Sequence, residues 1–254
     1  MPACNRIHRE VAVDRSHHRA VGVLALAALA GLLVVTPATA EVLDFGAALQ
    51  PLPAGTPLGE VHPDEGGWMR VHASNHGGGP DLCIVYDSED PTGGDTDLGT
   101  PNDDFGGPGD GSGGEEGAEG ENAIALGKIL VIAENDEDSD DDDLVDEPDD
   151  ESGGGIVWLK FSHAGRLTLT LIDVDCDEEE PRLYLFKEGD LVDCVEGDNP
   201  GDNSAQTLDL SEYGDIDAVR IHLDGSTGIG GILLDVPQVG VESATWSGIK
   251  GMFR

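Results

Sequence analysis

The stretch YDSEDPTGGDTDLGTP, from Tyr86 to Pro101, sets Asp87, Glu89, Asp90, Asp95 and Asp97 within eleven residues and interrupts them with Gly93 and Gly94. Like charges this close repel unless something neutralises them. A hard divalent cation does so, because Ca²⁺ accepts about six to eight oxygens from Asp, Glu, backbone carbonyls and water in flexible geometry. Asp95 and Asp97, spaced Asp-x-Asp, offer two carboxylates a chelate apart, and the two glycines permit a turn sharp enough to aim carbonyls inward. The same composition also suits a solvated turn, which Asp, Gly and Pro all favour.

Two further acidic sets carry related chemistry. In RLTLTLIDVDCDEEE, Leu167, Leu169 and Leu171 alternate with Thr168 and Thr170. Continuing that alternation puts Asp173 and Asp175 on the leucine face as the strand leaves the core. Carboxylates there are costly unless paired or bound to metal; the other reading is a strand that has already twisted into solvent. In NDEDSDDDDLVDEPDDE, Asp136, Asp138, Asp140 and Glu147 fall on positions 1, 3, 5 and 12 of an EF-hand loop. The match fails, because Asp141 stands where the loop needs Gly and strand patterns, not helices, flank it. The tract reads either as a loose gatherer of Ca²⁺ or as a solvated insert.

Motifs for other chemistries are missing. The chain holds no G-x-S-x-G, no H-E-x-x-H, no phosphate loop and no Cys/His nucleophile context. A carboxylate pair for glycoside hydrolysis stays open, but so many acids are present that some pair must fall at a workable separation. His62, His72, His76, His163 and His222 are scattered, and surface positions explain them better than ligation.

These acids must be positioned by short apolar segments rich in β-branched residues and separated by Gly, Asp, Asn and Pro, the punctuation of an all-β domain. Candidate strands are EVLDF, WMRVHAS, DLCIVY, KILVIAE, GIVWLKF, RLTLTLIDV, RLYLFKE, LVDCV, AQTLDL, AVRIHL and IGGILLDV. In AVRIHL, Val219, Ile221 and Leu223 point in while Arg220 and His222 point out. About ten such strands predict a single antiparallel β-sandwich, jelly-roll-like, over residues 41–238. Gly-rich and acidic insertions interrupt it near 103–122 and 135–153, and loops this long are normally functional or disordered.

Residues 1–40 read as an export signal: Arg6, Arg9, Arg15 and Arg19 precede the apolar run VGVLALAALAGLLVV and the small-residue stretch TPATA. The run falls short of the roughly 20 residues of a membrane span, so no stable transmembrane segment is expected after cleavage. Cleavage after Ala40 removes four of 13 basic and two of 52 acidic residues, leaving 9 against 50. That balance excludes nucleic acid, whose phosphates need a basic face. The acids cluster rather than spread, which favours bound cations or disorder over salt adaptation. Of the three cysteines beyond residue 40, Cys176 and Cys194 end segments read as neighbouring strands and are expected to pair, while Cys83 reads as a buried hydrophobe. Residues 239–254 form a short tail, in which Trp246, Ile249, Lys250 and Phe253 have helical spacing.

The ordered set GPDLCIVYDSEDPTGGDTDLGTP, ALGKILVIAEN, DEPDDESGGGIVWLKF, LTLIDVDCDEE, GDNSAQTLDL and VRIHLDGSTGIGGILLD, spanning Gly79 to Val236, resembles a group of exported bacterial proteins of unassigned function, many of which carry a C-terminal PEP-CTERM sorting signal. The resemblance implies an extracellular or cell-surface β-sandwich and puts Asp87, Asp95, Asp97, Glu134, Asp149, Asp150, Glu151, Asp173 and Asp175 on the group's recurrent acidic motifs. This chain lacks the Pro-Glu-Pro motif, the membrane helix and the basic end of many members. Ca²⁺ on these acids is our own inference. The expected protein is therefore a secreted, calcium-stabilised, non-enzymatic module, with an extracellular glycan or surface matrix as partner. Trp68, Trp158 and Trp246 are the scarce aromatic platforms for such a role. The alternative is a secreted, glycosidase-like hydrolase using a carboxylate pair.

Overall fold

Strand alternation in the sequence becomes two facing sheets, and one strand runs through both. The computed structural model describes residues 5–6, 41–176 and 178–237; the expected export signal, apart from Asn5 and Arg6, and the tail 239–254 lie outside them. The strands are β1 (Asn5–Arg6), β2 (Glu41–Asp44), β3 (Pro57–Leu58), β4 (Glu60–Val61), β5 (Met69–Asn75), β6 (Cys83–Asp87), β7 (Lys128–Ile132), β8 (Gly155–Val174), β9 (Arg182–Lys187), β10 (Asp190–Glu196), β11 (Gly201–Asp209), β12 (Ile216–Leu223) and β13 (Gly228–Val236). One short helix, α1 (Phe45–Leu49), is capped by Asp44, whose carboxylate accepts from Ala47 N–H at 2.7 Å.

The first sheet runs β1-β10-β9-β12-β8-β5-β4, and in it the N-terminal half of β8 pairs with β12 and β5. In the second sheet the C-terminal half of β8 lies between β11 and β13; β13 also pairs with β2 and β7, and β6 and β3 follow β7. All pairs are antiparallel except β1 with β10. The segments GIVWLKF and RLTLTLIDV, expected as separate strands, are thus one strand of 20 residues. Its corner lies between Lys160 and Gly165, where the register with β12 shifts, and such bends let a strand change sheets.

Between the sheets lies one core. Val71, Val157, Leu159, Leu185, Val219 and Ile221 from the first sheet meet Val85, Leu130, Leu167, Leu169, Leu171 and Ile229 from the second. A second apolar cluster covers the outer side of the second sheet: Ile84, Tyr86, Ile129, Val131 and Ile172 pack under Leu98 and Val145. This explains why CIVY and ILVI are unbroken apolar runs, since alternate residues of β6 and β7 serve different cores. Leu98 comes from the loop after β6 and Val145 from the acidic tract. The acidic insertion is therefore packed on the sheet through Val145, and the Gly-rich insertion is tied to β11, where Gly113 N–H donates to Asp202 O at 2.8 Å.

The expected Cys176–Cys194 disulfide is not formed. Cys176 is free and exposed, whereas Cys194 is disulfide-bonded. Strand order gives the reason. Cys194 sits on β10 opposite Tyr184, while Cys176 follows the end of β8 in the other sheet; β9 and β12 separate β10 from β8. Strands spaced about 4.8 Å apart leave these residues beyond the roughly 4.4–6.8 Å between Cα atoms that a disulfide spans.

Candidate metal centre

The loop after β6 is folded back onto the second sheet by its own side chains. Tyr86 Oη donates to Asp95 O at 2.9 Å, and Thr92 Oγ1 donates to Pro148 O at 2.6 Å, tying the first acidic loop to the end of the second. Gly93 has a φ of +71°, a region open to glycine at little cost, and its missing Cβ leaves the space that the Asp149 carboxylate occupies. Glu134 N–H donates to Asp149 O at 3.2 Å and Glu151 N–H to Ile132 O at 2.9 Å, so residues 149–151 continue alongside the end of β7.

This folding brings together Asp95, Asp149 and Asp150, with one carboxylate oxygen of each within 4.8 Å of the others. Asp150 is buried; its Oδ2 accepts from Thr227 N–H at 2.9 Å, and its own N–H donates to Asp95 Oδ2 at 3.4 Å. Burial, with Asp95 beside it, pushes the Asp150 carboxyl well above the carboxylate range. Burial and then Asp95 and Glu134 push Asp149 up to about 8.

A second triad stands beside the first. Asp97, Asp173 and Asp202 also place oxygens within 4.8 Å of one another. Asp97 sits in the 3-10 turn Thr96–Leu98, which Leu98 pins to the sheet with no exposed surface. Asp173 is 1% exposed and accepts from Asn203 N–H at 2.7 Å. Burial and then Asp95 raise Asp97 to about 6, and burial and then Asp97 raise Asp173 to about 8. The Asp95-x-Asp97 spacing therefore feeds one carboxylate into each triad. Ser226 interacts with both Asp150 and Asp173, yet its buried Oγ has no hydrogen bond of ordinary geometry among the described residues.

Asp173 reaches this place by a route the alternation does not give. Leu171 and Val174 belong to the inner core and Ile172 to the outer cluster, so the pattern slips by one residue at Asp173. The slip is made by Asp173 itself, whose φ is +62°, a strained conformation for a non-glycine residue. The expectation that Asp173 shares the inner face of Leu171 is corrected accordingly: it faces the loops. Asp202, which the sequence reading missed, enters from β11, where the register with β8 shifts between Gly201 and Ala205.

The remaining expected ligands lie at varying distance from the triads. Asp175 stands close enough to raise the pKa of both Asp173 and Asp202, and Glu134 does the same to Asp149. Asp87 instead forms an ion pair with Lys128, its register partner on β7. Glu151 anchors a turn: burial raises its pKa, but hydrogen bonds from Gly153 N–H, Asn75 and Gly79 N–H bring it below the ordinary value. A third triad, Asp138, Asp140 and Asp142, lies in the acidic tract and is mostly exposed. There the Asp138 carboxylate accepts from Asp142 N–H at 3.1 Å and Asp143 N–H at 2.9 Å.

Beneath the second triad, Asn102, Asn122 and Asn203 form a buried amide network. Asn102 Nδ2 donates to Asn203 Oδ1 at 2.7 Å, while Asn122 and Asn203 donate to Gly99 O at 3.0 and 2.7 Å. Buried amide networks of this kind hold the loops they join in one conformation, although Asn122 Oδ1 has no hydrogen-bond partner among the described residues. The arrangement can hold hard cations: three carboxylates per triad, from segments far apart in sequence, with none of the six in an ion pair among the described residues. No protein-family model matches the chain, and no curated protein matches it significantly.

Proposed function

We propose that this chain is an exported, non-enzymatic β-sandwich module whose outer loops are locked by calcium at the Asp95/Asp149/Asp150 and Asp97/Asp173/Asp202 triads. The observation that carries the reading is the burial of Asp150 and Asp173 without any Lys or Arg partner among the described residues. A buried carboxylate is tolerated when it is neutralised. At neutral pH the choices are a proton or a cation, and three carboxylates converging on one point favour a hard divalent ion. Calcium bound there joins the loop after β6, the end of the acidic tract, the end of β8 and the start of β11. Its role is to hold these four segments down on the outer apolar cluster.

The test is a melting curve of the exported protein in EDTA and in millimolar Ca²⁺, with metal content measured after dialysis. Calcium bound only by the folded state stabilises it by mass action, by about 4 kcal/mol at a thousandfold excess over Kd, and so raises the midpoint. Equal midpoints and no retained calcium reject the reading. A hydrolase draws on the same raised acids, since two carboxyls with pKa values pushed apart form an acid/base pair. Release of reducing sugar that Asp149→Asn abolishes would replace the non-enzymatic reading.

A further inference from the structure

The scarce cations and aromatics of this acidic chain meet on the outer face of the first sheet, away from the metal triads. Register places Arg70 and His72 of β5, Trp158 and Lys160 of β8, Arg220 and His222 of β12, and Tyr184 and Phe186 of β9 on one side. Their neighbours Val71, Val157, Val219 and Leu185 fill the core. Carboxylates reach this face at its edges: Glu60 on β4 pairs with Arg70 at 2.7 Å, Arg182 on β9 pairs with Glu179 at 3.0 Å and lies 3.8 Å from Glu196 on β10, and Glu179, Glu180 and Asp224 line a hollow with His222. Between these edges, neither Arg220 nor Lys160 has an ion pair among the described residues.

At the centre is Arg220. Its guanidinium lies 4.4 Å from the Tyr184 ring centroid and 5.3 Å from that of Trp158, and Trp158 stacks on Phe186 at 5.3 Å. Cation–π contact orients a guanidinium without satisfying its donors. Arg220 Nε is buried with no hydrogen-bond partner among the described residues, and so is His222 Nε2, two positions along the same strand. In a chain of 52 acidic and 13 basic residues, a half-buried arginine without a carboxylate partner among the described residues leaves its donors open to a ligand. Lys160, exposed beside it, adds a second charge without an ion pair among the described residues.

We infer that this face binds an acidic polysaccharide, its uronate carboxylates accepting from Arg220 and Lys160 and its pyranose rings packing on Trp158 and Phe186. Charge selects an anionic partner, because the cations of a strongly acidic chain are gathered on this face. The aromatic pair selects a ligand with apolar ring faces rather than a simple polyanion. Guanidinium–carboxylate geometry, planar and bidentate, supplies orientation. The inference is independent of the calcium reading, because the face belongs to the other sheet.

The test is calorimetric titration of the exported protein with polygalacturonate, its fully methyl-esterified form and polyglutamate, in EDTA and in Ca²⁺, below the melting midpoint of each sample. Polygalacturonate binds in both buffers, and the ester binds about tenfold or more weaker, as expected for loss of charged hydrogen bonds. Lys160→Glu, at an exposed position that leaves folding intact, and Arg220→Gln each weaken binding by about the same factor, whereas Asp95→Ala leaves the affinity in EDTA unchanged. Equal binding of ester and acid, equal binding of polyglutamate, or indifference to Lys160→Glu overturns the inference. So does binding that EDTA abolishes while the circular dichroism spectrum is retained, since the polysaccharide is then held through calcium elsewhere. Self-association of the protein alone that Lys160→Glu abolishes assigns the face to a second copy and also overturns it.

Discussion

Calcium entering the triads must displace protons, and the number displaced at a given pH follows from the site. Without a cation, burial holds Asp149 and Asp173 at about 8, against an ordinary 3.8. Both are then largely protonated at pH 7 and largely ionised once a divalent ion sits among them. Asp97, at about 6, is already mostly ionised at that pH. Asp150, buried and pushed well above the carboxylate range, adds to the protons that Asp149 and Asp173 hold. Saturating calcium should therefore release between about two and three protons per protein at pH 7, the lower figure allowing for solvent screening at half-exposed Asp149. The share released by Asp149 and Asp173 should fall toward zero by about pH 9. The same shifts fix how stability varies with pH. A folded-state pKa raised above the unfolded value means that the folded chain binds more protons between about pH 4 and 8, so the calcium-free protein loses stability as pH rises through that window. Asp173 alone sets a slope of about 1.4 kcal/mol per pH unit. With calcium bound the slope should largely vanish. Titrations in buffers of different ionisation enthalpy count the protons, and denaturant melts in EDTA from pH 5 to 8 give the slope. Calcium binding without proton release at pH 7, or a calcium-free protein that gains stability across the window, refutes the reasoning.

Three other outcomes are expected. Asp173→Asn should stabilise the protein in EDTA at pH 8, because it removes a buried charge, and should weaken calcium binding by at least about tenfold, as loss of a charged ligand does; a melt and a calcium titration on one sample read both signs. Leu98→Ala should cost about 2–5 kcal/mol through the cavity it leaves and lower calcium affinity as well, since Leu98 seats the turn that carries Asp97; denaturant unfolding with and without calcium checks it. Cys176 should react readily with a thiol reagent in the native protein, while Cys83, buried and with its thiol pushed up to about 12, should react only on unfolding, as mass spectrometry of labelled peptides will report.

Alternation made most of the fold legible. AVRIHL and RLTLTL declared their inner faces, and the structure keeps them. The union of GIVWLKF with RLTLTLIDV was not legible, because Ser162–Gly165 reads as punctuation while the backbone carries straight through the corner. The site was half legible. Asp-x-Asp spacing beside paired glycines marked Asp95 and Asp97, but the positive φ of Asp173 and the entry of Asp202 depend on how β11 lies against β8, which no local pattern encodes. Asp87 misled for the same reason: only the β6–β7 register brings Lys128 to it. Strand order likewise decided the cysteines, since closeness along the chain said nothing about which sheet each would join.

The strand shared by both sheets has a mechanical consequence. A sandwich of independent leaves can splay open about its loops, one leaf peeling from the other. Here Gly155–Val174 crosses from one leaf to the next as a single length of backbone, so parting them means tearing the ladder along that strand. Tension applied to either leaf passes straight into the other.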